Sequence, residues 1–199
     1  NNKRSVHYNM LSKLTKMRIS NKPSDGIVDV KLNRTCTKLL CGTARKDAER
    51  DNISLLYDLE KGTVRVLKEH MDTVSRSLFS NDDKHIVTSS YDGTIIVRPV
   101  DTCIPETIIR MENNGGLANK ILDIRLHPRE NDLIASMTEK EIHLWKFGQE
   151  TPVRTVVPPQ EGTLIDLEFA GAGDFEHILV CAEMYQDTGQ GCVHLYNVN

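Results

Sequence analysis

The sequence predicts an all-β protein assembled from repeated four-stranded antiparallel sheets. Three observations carry this expectation. Short β-branched and apolar runs are bounded by Asn, Asp and Gly, the punctuation that tight turns between antiparallel strands require. The runs recur along the chain: the last apolar residues of successive first strands, Leu32, Phe79, Leu126 and Phe169, stand 47, 47 and 43 residues apart. A later run in each repeat aligns column by column. A period in this range marks a repeat architecture in which each unit buries its faces only against its neighbours.

Taken in order, Val6–Met10 and Leu14–Ile19 read as the third and fourth strands of a preceding unit (residues 1–25). Unit one (26–69) has a first strand ending at Leu32, a second around Leu39 and Leu40, a third over Ser54–Leu59 and a fourth over Thr63–Lys68. A charged loop, Thr43–Asn52, replaces the tight turn between its second and third strands, and loops of this kind on a rigid scaffold often carry binding function. Unit two (70–115) is the clearest. Val74–Phe79, the turn Ser80–Asp83, His85–Ser89, the turn Tyr91-Asp92-Gly93 and Thr94–Val97 form a meander, with a more polar fourth strand over Thr107–Met111. In unit three (116–160) the equivalents are Leu126, Leu133-Ile134, Ile142–Phe147 and Val153–Val157. Unit four (161–199) supplies Phe169, Ile178-Leu179 and Val193–Val198, with no fourth strand.

Residues 70–97 resemble one unit of the WD-repeat β-propeller family. His70, Val74, Phe79, Ser80, Lys84, Ile86, Val87, Thr88, Ser90, Asp92, Gly93, Thr94, Ile95 and Val97 match its pattern. The resemblance implies a β-propeller of four-stranded blades, about four units of it in this chain, with both ends cut mid-blade. The chain is expected to be an arc of a larger ring, seven-bladed in most of the family, whose remaining blades are then among its partners. A closed four-bladed ring, in which Leu14–Ile19 completes the last blade, is the alternative.

The family also implies a role for particular residues. A His, a Ser or Thr, an Asp and a Trp form a structural hydrogen-bond network, and His70, Thr88 and Asp92 occupy the first three places in unit two, with Arg98 at the Trp place. In unit three Trp145 is present, while Leu117, Ala135 and Glu139 stand where the others belong. The grouping of Thr88, His70 and Asp92 could also be taken for a nucleophilic triad, but the resemblance assigns it to scaffolding, so no catalytic residue is expected. Propellers of this family mostly dock proteins or peptides on one face of the ring. The matching positions are Thr73, Ser75 and Tyr91, with Lys120 and Leu122 as their equivalents in unit three.

Other chemistry finds little support. Net charge is -3, and no apolar run approaches the roughly 20 residues that span a bilayer. The five cysteines, Cys36, Cys41, Cys103, Cys181 and Cys192, contain no C-x-x-C pair and mostly lie in or beside apolar runs. Buried free thiols in a reducing intracellular compartment, cytoplasmic or nuclear, are expected, without a metal site. His143 and His194 hold equivalent places in their units, which repetition explains better than metal ligation. No phosphate loop or dinucleotide fingerprint is present, so no cofactor is expected. A nucleic-acid-associated propeller is the alternative function. Six basic and no acidic residues precede Asp25, whereas the rest of the chain carries 19 basic against 28 acidic residues, which argues against it.

Overall fold

A computed structural model describes residues 25–45, 52–111, 119–158, 162–171 and 173–198. The first sheet runs in the order β1 (Asp25–Leu32), β2 (Lys38–Arg45), β3 (Asn52–Asp58) and β4 (Thr63–His70). The second contains β5 (Val74–Phe79), β6 (His85–Ser90), β7 (Thr94–Pro99) and β8 (Thr107–Arg110). In the third, β9 (Asp123–Leu126), β10 (Leu133–Met137), β11 (Ile142–Lys146) and β12 (Arg154–Val156) pair in sequence, and the fourth has three strands, β13 (Thr163–Phe169), β14 (Ile178–Met184) and β15 (Gly191–Asn197). Every pairing is antiparallel. The all-β expectation and the blade-like four-stranded sheets stand. The strands expected over residues 6–10 and 14–19, and the middle of the charged loop (46–51), lie outside the described residues. β2 and β3 extend toward that loop, to Arg45 and from Asn52.

Turn chemistry sets the meander. Gly93, at φ 80°, takes the left-handed position of the β6–β7 turn, where its N–H reaches the Ser90 carbonyl at 3.2 Å. Ser80 closes the β5–β6 turn by donating to Asp82 at 2.6 Å and accepting the His85 N–H at 2.9 Å.

Strand pleating turns alternate side chains to opposite faces, so each sheet interior offers apolar groups to two neighbours. Leu40, Leu56 and Leu67 of the first sheet pack on Phe79 and Ile86 of the second. Val87, Ile95 and Val97 of the second meet Ile124, Ile134 and Trp145 of the third. Met137, Ile142 and Leu144 of the third meet Leu164, Leu167 and Leu179 of the fourth. Full burial of such side chains is worth about 1.5 to 3 kcal/mol each, so stacking between sheets supplies most of the cohesion. The outward faces of the two end sheets are apolar as well. Val30 and Val66 on the first, and Ile165, Val193 and Leu195 on the fourth, are half or more exposed.

The first strands β1, β5, β9 and β13 lie side by side, and a chain of charges crosses them. Arg76 on β5 bonds Asp123 on β9 at 2.7 Å and approaches Asp29 on β1 at 3.6 Å. Arg125 then links Asp123 to Glu168 on β13 at 2.9 Å. Asp123 is nearly buried, and such a charge is tolerable only with partners of this kind. Sequence reading missed this ladder, because its links between sheets join residues 43 to 47 apart.

Two expectations need correction. The β9–β10 loop is one residue longer than the β5–β6 loop: Phe79 pairs with Ile86, whereas Leu126 pairs with Ile134. The residue opposite β11 at the Ser/Thr place is therefore Ser136, not Ala135. Of the cysteines only Cys41 and Cys181 are buried; Cys103 and Cys192 are half-buried, and Cys36 is exposed in a turn.

Candidate functional site

The end of β4, the β6–β7 turn and the start of β7 bring His70, Thr88, Asp92 and Thr94 together. His70 Nε2 lies 2.8 Å from Thr88 Oγ1 and Nδ1 lies 2.9 Å from Thr94 Oγ1. The Thr94 hydroxyl donates to Asp92 Oδ1 at 2.5 Å, so Thr94 accepts its hydrogen bond from the Nδ1–H of the ring. That leaves Nε2 to accept from the Thr88 hydroxyl, and this one tautomer satisfies all the atoms involved. Asp92 also receives the backbone N–H groups of Met71 at 2.6 Å and Thr94 at 2.8 Å. Thr94 was not singled out from the sequence, although it is the bridge between His70 and Asp92.

Nucleophilic catalysis is poorly served by this arrangement. Thr88 is fully buried and His70 nearly so, leaving a substrate carbonyl no approach to the hydroxyl. Burial pushes the Asp92 carboxyl up, but the His70 ring beside it, with Nδ1 3.6 Å from Oδ2, and hydrogen bonds from Thr94 and the Met71 N–H outweigh it and hold the group down at about 2. A carboxyl depressed on folding contributes stability that is fully present above its unfolded value near 4 and is lost as pH falls through the folded value. Asp92→Asn is accordingly expected to lose less stability between pH 4 and pH 2 than the parent chain. Denaturant midpoints taken across that window read the difference; parallel curves would remove the carboxylate from the network.

Trp145 lies outside this cluster, in the third sheet. It is buried, donates from Nε1 to Ser136 Oγ at 2.8 Å and stacks on His143 with ring centroids 5.7 Å apart. Arg98, the second sheet's counterpart, is likewise buried. Leu117 falls outside the described residues.

The positions expected to meet a partner divide. Tyr91 is half-buried at the tip of the β6–β7 turn, held by its N–H to the Thr73 carbonyl at 3.0 Å, and the exposed Lys120 places Nζ 5.5 Å from its ring centroid. Both line a groove between the second and third sheets, together with Met71, Ile108, Lys140 and Glu141. Thr73 borders this face, partly exposed. Ser75, the bulged residue of β5, bonds Ser89 Oγ at 2.9 Å and is thereby partly committed to the sheet. Leu122 packs against the core between the third and fourth sheets, so its side chain serves the interior rather than a partner surface. The basic segment before Asp25 lies outside the described residues.

The family described as "WD domain, G-beta repeat" matches residues 61–97, a span that contains β5, β6 and the His70 cluster. Cilia- and flagella-associated protein 52 from Sus scrofa is 26% identical over 157 residues, covering 78% of this chain and 24% of the relative. The Homo sapiens protein of the same name is 28% identical over 109 residues, covering 54% of this chain and 16% of its own. The chain thus spans a quarter or less of the length of these relatives. Among solved structures, the β-propeller domain of Cps50 (Swd1) from Myceliophteria thermophila superimposes with a TM-score of 0.61 at 16% identity, over 80% of this chain and 52% of that one. That likeness concerns the fold. No helix among the described residues is long and apolar enough to cross a membrane.

Proposed function

We propose that this chain, which belongs to the WD-repeat β-propeller family, serves as a non-catalytic docking platform for another protein within a multiprotein assembly. The observation that carries the reading is the groove between the second and third sheets. At its rim the Tyr91 ring, on a turn that the buried His70 network holds in place, meets the cation of Lys120 from the segment leading into β9. A part-exposed tyrosine on a rigid turn loses little entropy on binding and anchors interfaces well. The names of the relatives point to an assembly of cilia or flagella as the setting. His70, Thr88, Asp92 and, in the next sheet, Trp145 act in this reading as scaffolding beneath the face.

Affinity capture with the full chain, read by mass spectrometry, tests the proposal. Tyr91→Ala is expected to weaken the principal captured protein at least tenfold, a loss of about 1.4 kcal/mol or more, while the melting transition stays in place. Capture unchanged by Tyr91→Ala, or an interaction that maps to another face, would overturn it.

A further inference from the structure

The fourth sheet carries a different set of side chains where the second sheet has its His70 network. Cys192 and His194, two apart on β15, point to one face, and register sets Glu183 of β14 directly opposite Cys192. Three atoms converge there. His194 Nε2 lies 2.8 Å from Glu183 Oε2 and 3.0 Å from Cys192 Sγ, and Sγ lies 3.6 Å from Oε2. The Tyr185 hydroxyl closes the group, 3.0 Å from Sγ and 3.2 Å from Oε2.

From this triangle we propose that Glu183, Cys192 and His194 form a binding site for a divalent transition-metal ion of the zinc class. Thiolate, imidazole and carboxylate together are a borderline-soft set that favours such an ion over magnesium or calcium. The size is right as well. Tetrahedral zinc, with bonds of about 2.0 to 2.3 Å, separates its ligand atoms by about 3.4 to 3.6 Å. The Sγ–Oε2 edge already has that length, and the two edges at Nε2 need to open by about half an ångström. Coordination releases the Cys192 thiol proton to solvent and moves the ring proton of His194, which faces the Glu183 carboxylate from Nε2, to Nδ1, freeing the Nε2 lone pair for the metal. A fourth position remains for the Tyr185 oxygen or water, because Tyr185, Cys192 and His194 are only half-buried.

A cysteine-histidine-glutamate relay is the competing use of these residues, and the geometry disfavours it. A relay holds the acid on one ring nitrogen and the nucleophile on the other. Here thiol and carboxylate both address Nε2, the convergence that a shared cation requires. The carboxylate is also fixed in place. Glu183 is 1% exposed, and its Oε1 accepts the Gly162 N–H at 2.7 Å. A β-carbon on Gly162 would meet the Glu183 side chain at 2.5 Å, so only glycine lets the backbone approach this closely. The neighbouring thiol of Cys181, opposite His194 on β14, belongs to the apolar core instead.

Titration of the full chain with Zn²⁺ and with Co²⁺, each added as the metal alone, tests the site. One equivalent of zinc retained through dialysis is expected, together with a thiolate-to-cobalt charge-transfer band. Cys192→Ser should abolish the band and His194→Gln should weaken zinc at least tenfold, while Cys181→Ser leaves both intact. Far-ultraviolet circular dichroism establishes that each variant is folded. Absence of stoichiometric zinc, or a band that survives in folded Cys192→Ser because another thiol binds, overturns the proposal.

Discussion

Trp145→Ala is expected to lower the stability of the fold by about 3 to 5 kcal/mol, the range for removing a buried aromatic side chain. The indole is 2% exposed and sits where the second and third sheets pack, among Ile124, Ile134, Val97 and Ile109. Alanine leaves a void there that strands on both sides are too well paired to fill. It also removes the donor to Ser136 Oγ, a hydroxyl with no exposed surface, and the stacking partner of His143. For a chain of this size each kilocalorie moves the melting temperature by about 2 to 4 °C, so a fall of roughly 10 °C should be seen by calorimetry. Trp145→Phe, which keeps most of the packing and loses the hydrogen bond, should fall between the two. A melt unmoved by Trp145→Ala would mean that the two sheets do not pack through this residue.

His70→Ala is expected to cost about 1 to 3 kcal/mol, by a different route. Little apolar packing is lost; the damage comes from the polar groups left behind. Thr88 Oγ1 has no exposed surface and loses the ring nitrogen 2.8 Å away, and Thr94 Oγ1 loses its donor. Asp92 retains the Thr94 and Met71 N–H groups and stays charged. Thr88→Val in the His70→Ala background should recover part of the loss, because it removes an orphaned hydroxyl while keeping shape. Equal melting temperatures for the parent chain and His70→Ala would show that the ring contributes nothing to the blade.

The strands were legible in the sequence because their signals are local. Alternating β-branched residues and turn-forming Asn, Asp and Gly placed β5 over Val74–Phe79 and opened β7 at Thr94, and the 47-residue recurrence carried the pattern to the other sheets. The His70, Thr88 and Asp92 grouping was legible for the same reason, since one meander contains all three. Of the face residues, Tyr91 and Lys120 could be placed, whereas Leu122, just before β9, turned inward onto the core between the third and fourth sheets.

What only the folded chain decided is how side chains distant in sequence face one another. One additional residue in the β9–β10 loop moved Ser136, rather than Ala135, beneath Trp145. The Asp29, Arg76, Asp123 and Arg125 ladder depends on how neighbouring sheets stack, and the meeting of Glu183, Cys192 and His194 depends on the β14–β15 register. The physical reason is the same in each case. Strand propensity is a property of a few consecutive residues, whereas cross-strand and cross-sheet pairing is set by loop length and packing, and a shift of one residue there exchanges every partner.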